Sequence, residues 1–93
     1  MAREPLKERV KKAHQSPADV IIGKKGVTPE VLREIEARLE RKEVVKVKLL
    51  KTAVAREGDR REVAKRVAEA LGAKLMGVRG RTFVLYKPRE RQS

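Results

Sequence analysis

Two glycines, Gly23 and Gly26, bracket the pair Lys24-Lys25, and Val27-Thr28-Pro29-Glu30 follow directly. Residues of these types at this spacing suit one chemistry, the holding of a phosphate group. Glycines can take positive φ values and lack Cβ atoms, so the backbone between them can come close to a partner. Thr28 fits a helix N-cap, Pro29 the first helical position and Glu30 the positive end of the helix dipole. Val27 and Leu32 stand where a hydrophobic staple would set the angle at which the chain enters that helix. A helix N-terminus with unpaired N–H groups and two ammonium groups just before it is a reasonable phosphate site. The spacing is that of neither a nucleoside-triphosphate loop nor a dinucleotide fingerprint. Taken alone, Gly-x-x-Gly is also an ordinary turn, and the rest of the chain must decide.

Other reactive residue types have simpler explanations. His14, the only histidine, lies in a basic stretch at a helix end, where it suits the C-terminal dipole better than general-base work. Ser16 and Thr28 read as helix-end residues. Asp59 reads as a cap, and Asp19 stands far from it in the chain. No acidic or histidine cluster has metal-site spacing, and with no cysteine there is neither a disulfide framework nor a thiolate metal site. Phe83 and Tyr86 are the only aromatics, too few for a base-stacking platform. Phe83 suits the core, and the place of Tyr86 is open. These readings point to a binding module without catalytic residues, cofactor, metal or small-molecule substrate.

The elements that must position the loop follow from periodicity. Arg3 to His14 reads as a helix with Leu6, Val10 and Ala13 on one face, stopped by Ser16-Pro17. Ala18 to Ile22 is a nearly all-apolar strand, which suits burial on both faces or a place in the middle of a sheet. A second helix spans Pro29 to Lys42 on the stripe Val31, Leu32, Ile35 and Leu39, with Glu34–Arg38 among its i,i+4 pairs. Val44 to Lys51 alternates, with Val45, Val47 and Leu49 on one face and Lys46 and Lys48 on the other. Thr52 to Gly58 reads as a connection. Asp59-Arg60-Arg61-Glu62 opens a third helix on Val63, Val67 and Leu71, ended by Gly72. Leu75 to Arg79 and Thr82 to Tyr86 form a hairpin about Gly80. The fold class is α/β, in the order α-β-α-β-α-β-β, with one four-stranded mixed sheet and helices packed against it. Residues 1–88 make one domain, and 89–93 read as a mobile basic tail.

The chain of 93 residues carries 25 basic and 13 acidic side chains, a net charge of +12. So large an excess attracts polyanions, nucleic acid first and an anionic membrane surface second. No apolar run can span a bilayer and no signal-peptide core is present, so the expected location is cytoplasmic. The charges of the second helix nearly cancel. The excess lies on the first helix (Arg3, Lys7, Lys11, Lys12), the Gly-x-x-Gly turn, the polar face of the second strand (Lys46, Lys48), and the hairpin and its exit (Arg79, Arg81, Lys87).

With these elements in place, the chain resembles the CRM domain of the YhbY-like proteins over nearly its whole length. The resemblance is carried by Val20-Ile21-Ile22-Gly23-Lys24-Lys25-Gly26-Val27-Thr28, Leu32-Arg33-Glu34-Ile35-Glu36 and Glu43-Val44-Val45-Lys46-Val47-Lys48-Leu49. A fourth block, Gly80-Arg81-Thr82-Phe83-Val84-Leu85-Tyr86-Lys87-Pro88, is similar to the family's Leu-Tyr-Arg-Pro ending. Lys87 stands where the family commonly has Arg, which removes a planar phosphate fork. The resemblance implies a fold similar to the C-terminal domain of translation initiation factor three. It implies RNA as ligand, held at Gly23, Lys24, Lys25, Gly26 and Thr28. It further implies ribosomal RNA or a pre-ribosomal particle of the large subunit as partner. The expected state is a monomer. The alternative is a small basic DNA- or chromatin-binding protein of the Alba-like kind, marked by duplex preference and dimerisation.

Overall fold

Alternation of apolar and basic residues from Val45 to Leu49 makes the strand around which the molecule is assembled. In the computed structural model, which describes residues 4–89, the elements are α1 (Leu6–Gln15), β1 (Val20–Ile22), α2 (Pro29–Lys42), β2 (Val44–Leu49), α3 (Lys51–Glu57), α4 (Arg60–Leu71), β3 (Lys74–Arg79) and β4 (Thr82–Tyr86). One four-stranded sheet runs in the order β1-β2-β4-β3. β1 is parallel to β2, with Ile21 opposite Lys48. The other two pairings are antiparallel, and β3 carries a register shift between Leu75 and Val78.

The mixed α/β architecture agrees with the sequence, and three details differ. Lys51–Glu57 is a helix, where a connection is expected. It takes residues from the end of β2, which stops at Leu49. β1 is an edge strand of three residues, where the apolar run suggests a central one. Its two outer residues are buried, but Ile21 is 55% exposed. α1 starts at Leu6, behind Pro5, and Arg3 lies outside the described residues.

Helices cover the two faces unequally. On one face Ile22, Val45, Val47, Leu49, Phe83 and Leu85 pack with Ile35 and Leu39 of α2, Ala53 of α3 and Val63, Val67 and Leu71 of α4. On the other face α1 alone supplies Val10, which packs with Val44 and Val84, while Leu6, Ala13, Met76 and Tyr86 close around them. Tyr86 therefore belongs to the seat of α1. The half of that face bearing Ile21, Lys48 and Thr82 lies beyond this cluster.

Local signals end the helices where the sequence places them. Thr28 Oγ1 accepts from Val31 N at 3.2 Å, and Asp59 Oδ1 accepts from Arg61 N at 2.8 Å. Gly72 closes α4 in the left-handed conformation. Glu43, after α2, is the one non-glycine residue with positive φ among those described, at 68°. That conformation is costly for a residue with a Cβ and persists where neighbours enforce it. Its buried carboxylate accepts from Arg9 Nη2 at 3.1 Å and from the backbone N–H of Arg89 at 2.9 Å. Its carbonyl accepts from Lys87 N at 2.9 Å. Arg89, expected in a mobile tail, is thus held; residues 90–93 lie outside the described residues.

Leu39 and Leu71 fill the larger core. Leu39→Ala or Leu71→Ala is expected to cost roughly 2–5 kcal/mol, because each leaves a cavity under the sheet. Arg33→Ala, at an exposed site, is expected to cost under about 0.5 kcal/mol. Denaturant melts of the three variants check these helix faces.

Candidate nucleic-acid interface

The parallel pairing of β1 with β2 brings the end of β1, where the glycine turn starts, beside the end of β2. Because β4 runs the other way, the β3–β4 hairpin arrives at this same end. Leu49 N donates to Arg81 O at 2.7 Å, which ties the hairpin tip to β2. The register sets Ile21, Lys48, Thr82 and Arg79 side by side across the sheet. Lys24, Lys25, Lys48, Arg79 and Arg81 therefore gather at one end from three separate parts of the chain. None of the five forms an ion pair among the described residues.

Within the turn the two glycines have different jobs. Gly26 N donates to Gly23 O at 2.9 Å and closes a tight turn with Lys24 and Lys25 exposed at its corner. Gly26 has φ 75°, and a Cβ there would lie 2.1 Å from Glu57 Oε2 and 3.0 Å from Arg56 Cδ. Gly26 thus has a reason to lack a Cβ within the fold itself, the packing of α3 against the turn. Gly23 does not have positive φ, and a Cβ on it would meet only Leu50 Cδ1, at 3.6 Å.

Glu57 is the residue that holds this turn. Its Oε2 accepts from the backbone N–H of Val27 at 2.8 Å, and its Oε1 pairs with Arg66 Nη2 at 3.2 Å. The backbone bond, helped by Arg66, keeps its carboxyl below the usual range against the opposing effect of burial. Nothing near Gly26 in sequence announces Glu57, and its helix has no side-chain cap at Leu50. The one available signal is Gly58, a helix-ending glycine with φ 96°. The same helix places exposed Arg56 beside the turn, a cation that the sequence reading did not single out.

The start of α2 is a poorer anion site than its sequence suggests. Val27 N is taken by Glu57, Val31 N by Thr28 Oγ1, and Leu32 N by Thr28 O at 3.0 Å. Thr28 serves as a cap, and Pro29 has no N–H to offer. With these N–H groups engaged, any phosphate contact at this end rests mainly on the lysine and arginine side chains.

Several other expected contacts lie elsewhere. Lys46 Nζ donates to His14 O at 2.8 Å and Ser16 O at 2.7 Å, closing the C-terminal end of α1. Lys87, at the opposite end of the sheet, donates to Leu71 O at 2.8 Å and lies 3.8 Å from Glu36. Lys12 is ion-paired with Glu4, which raises its pKa. Lys7 and Lys11 are exposed on α1 and apart from the turn. His14 lies against the bulge in β3, with Nε2 3.1 Å from where a Cβ on Gly77 would stand. Burial lowers its pKa, and the charges of Arg79 and Lys46 add to this. Its Nδ1 is buried without a hydrogen-bond partner. Among the described residues no group of three or more His, Cys, Asp or Glu could hold a metal ion, and no helix is long and apolar enough to cross a membrane.

The depressed pKa of Glu57 sets a pH dependence for the turn. A group whose folded pKa is lowered contributes stability above its unfolded pKa and loses it as pH falls through the folded value. The Val27 amide resonance is expected to move in an acid titration with a midpoint below the ordinary glutamate range. In Glu57→Gln that titration should vanish, which NMR of the labelled protein checks.

Comparison with known proteins bears on the family and the fold. A probable RNA-binding protein of Methanocaldococcus jannaschii is 35% identical over 79 residues, 85% of this chain; the chain spans 58% of that protein's length. A probable RNA-binding protein of Bacillus subtilis is 33% identical over 76 residues, covering 82% of this chain and 76% of its own. The solution structure of a hypothetical protein from Staphylococcus aureus is similar with a TM-score of 0.70 and 28% identity, over 94% of this chain and 86% of that one. The CRS1 / YhbY (CRM) domain matches residues 1–87, and the chain belongs to that family.

Proposed function

We propose that this protein binds RNA along the basic end of its sheet, at the turn Gly23–Gly26 and the cations beside it. The target is ribosomal RNA or a precursor of the large subunit, and the role is in ribosome assembly, as a cytoplasmic monomer without catalytic activity. The observation that carries this reading is the gathering of Lys24, Lys25, Lys48, Arg79 and Arg81 at one end of the sheet. Cations distributed only for solubility would be interspersed with carboxylates, as they are on α2, where Glu30–Arg33 and Glu34–Arg38 lie 4.0 Å apart. Family membership and the names of the two relatives support RNA as the polyanion. The ribosomal target rests on the resemblance to YhbY-like proteins.

Binding of this kind is mainly electrostatic and indifferent to base identity, since Phe83 is buried and Tyr86 packs beneath α1. Each phosphate neutralised on a single strand contributes about 0.7 to the slope of log affinity against log salt. Replacing both Lys24 and Lys25 with Ala is expected to weaken RNA binding and lower that slope by about one to one and a half units, with the melting temperature unchanged. Lys7→Ala with Lys11→Ala is the matched control and should do less. Equal losses would reduce the turn to an ordinary loop on a diffuse basic surface. Sequencing the RNA crosslinked to the protein in cells tests the ribosomal target, and preferential recovery of duplex DNA would replace it with the chromatin reading.

A further inference from the structure

Ile21, at 55%, and Leu50, at 39%, are the exposed large hydrophobics among the described residues, and they are neighbours. Ile21 lies opposite Lys48 in the β1–β2 register, and Gly23 and Leu50 follow two residues further along each chain. Alternation therefore puts Ile21, Lys48 and Leu50 on the same side of the sheet. Leu50 N donates to Ile22 O at 2.9 Å, which extends the pairing past the end of β2. Leu50 Cδ1 lies 3.6 Å from where a Cβ on Gly23 would be, so the bare glycine leaves room for the leucine to lean across β1. The result is a small aliphatic step with Lys48 on one side and Lys24-Lys25 at its end. α1, which packs on Val44 and Val84, does not reach it.

We infer that this step seats one unpaired nucleotide of RNA, the base lying on Ile21 and Leu50 and its flanking phosphates meeting Lys48 and the turn lysines. The inference rests on the RNA-binding reading above and specifies the form of RNA bound. The occupant must combine a flat apolar face with an anionic edge, because apolar and cationic residues stand next to each other in the strand register. A nucleotide in a loop or bulge offers both. A paired base cannot, since its faces are covered by its neighbours in the stack. Aliphatic side chains provide no hydrogen bonds to base edges, so the seat selects unpaired geometry and not a particular base. This gives a protein with no exposed aromatic platform a way to distinguish loops and bulges from helices.

The test uses the full chain, a hairpin RNA with an unpaired bulge, and a perfect RNA duplex of equal phosphate number. Ile21→Ser and Leu50→Ser should each cost up to about tenfold in affinity for the bulged RNA, the scale of one aliphatic side chain's burial. The same variants should leave duplex affinity and the salt slope unchanged. Ile21→Trp should tighten binding to the bulged RNA, and its fluorescence should be quenched by that RNA and not by the duplex. Lys24 and Lys25 both replaced by Ala should weaken both RNAs while keeping the preference for the bulge. Equal losses on both RNAs, or no loss on either, would overturn the nucleotide seat. If the unaltered protein bound neither RNA, the RNA-binding reading itself would fall, and this seat with it.

Discussion

One carboxylate positions the glycine turn. β1 offers only three paired residues and stands at the sheet's edge, too little to orient the loop that follows it. Glu57 reaches back from the end of α3 to the Val27 N–H, 2.8 Å away. The bond spans thirty positions of sequence and joins the two segments that flank the basic end. It also fixes the identity of Gly26, since a side chain there would occupy the place of Glu57 Oε2. The turn that carries the lysines is therefore tied within itself and to α3, which lowers the loop entropy lost when they meet a ligand.

The charge of the molecule divides by what each cation already touches. Arg9, Lys42, Lys46, Arg66 and Lys87 are committed to carboxylates or helix-end carbonyls and hold elements together. Asp19 illustrates the economy of this arrangement, with Oδ1 accepting from Lys42 Nζ at 2.6 Å and Oδ2 from Lys46 N at 2.9 Å. Uncommitted cations include Lys24, Lys25, Lys48, Arg79 and Arg81 around the turn, Lys7 and Lys11 on α1, and Arg60, Arg61 and Lys65 on α4. Electrostatic attraction at long range comes from both sets. Contact at short range is open only to the second.

Local features were legible in the sequence and remote ones were not. Thr28, Asp59 and Gly72 mark their helix ends because caps depend on residues within one turn. The stripes of α2 and α4 were legible for the same reason. α3 escaped because its first turn has no capping side chain and its seven residues are too few to show a period. The edge position of β1 escaped because Val20-Ile21-Ile22 reads alike whether one face is covered or two. At the site, the turn and its lysines could be found from glycine spacing. That Lys46 and Lys87 are bound to carbonyls at His14, Ser16 and Leu71 depends on how distant elements meet, which spacing cannot reveal.

Glu43 has a consequence for the order in which the chain can acquire its structure. It lies near the middle of the sequence, yet its oxygens accept from Arg9, Lys87 and Arg89, among other groups. During synthesis α1, α2 and their crossover can leave the ribosome and begin to pack long before Arg89 is made. β2 then has its β1 partner but lacks β4, the strand between itself and β3. Until β4 inserts, the open side of β2 is an unpaired edge, and the residue that closes α2 keeps its unfavourable φ without its later contacts. The N-terminal half can therefore pack before the sheet is whole, and the interior strand and the tail come last, so a chain cut short within β4 would lose the central pairing of its sheet as well as its end.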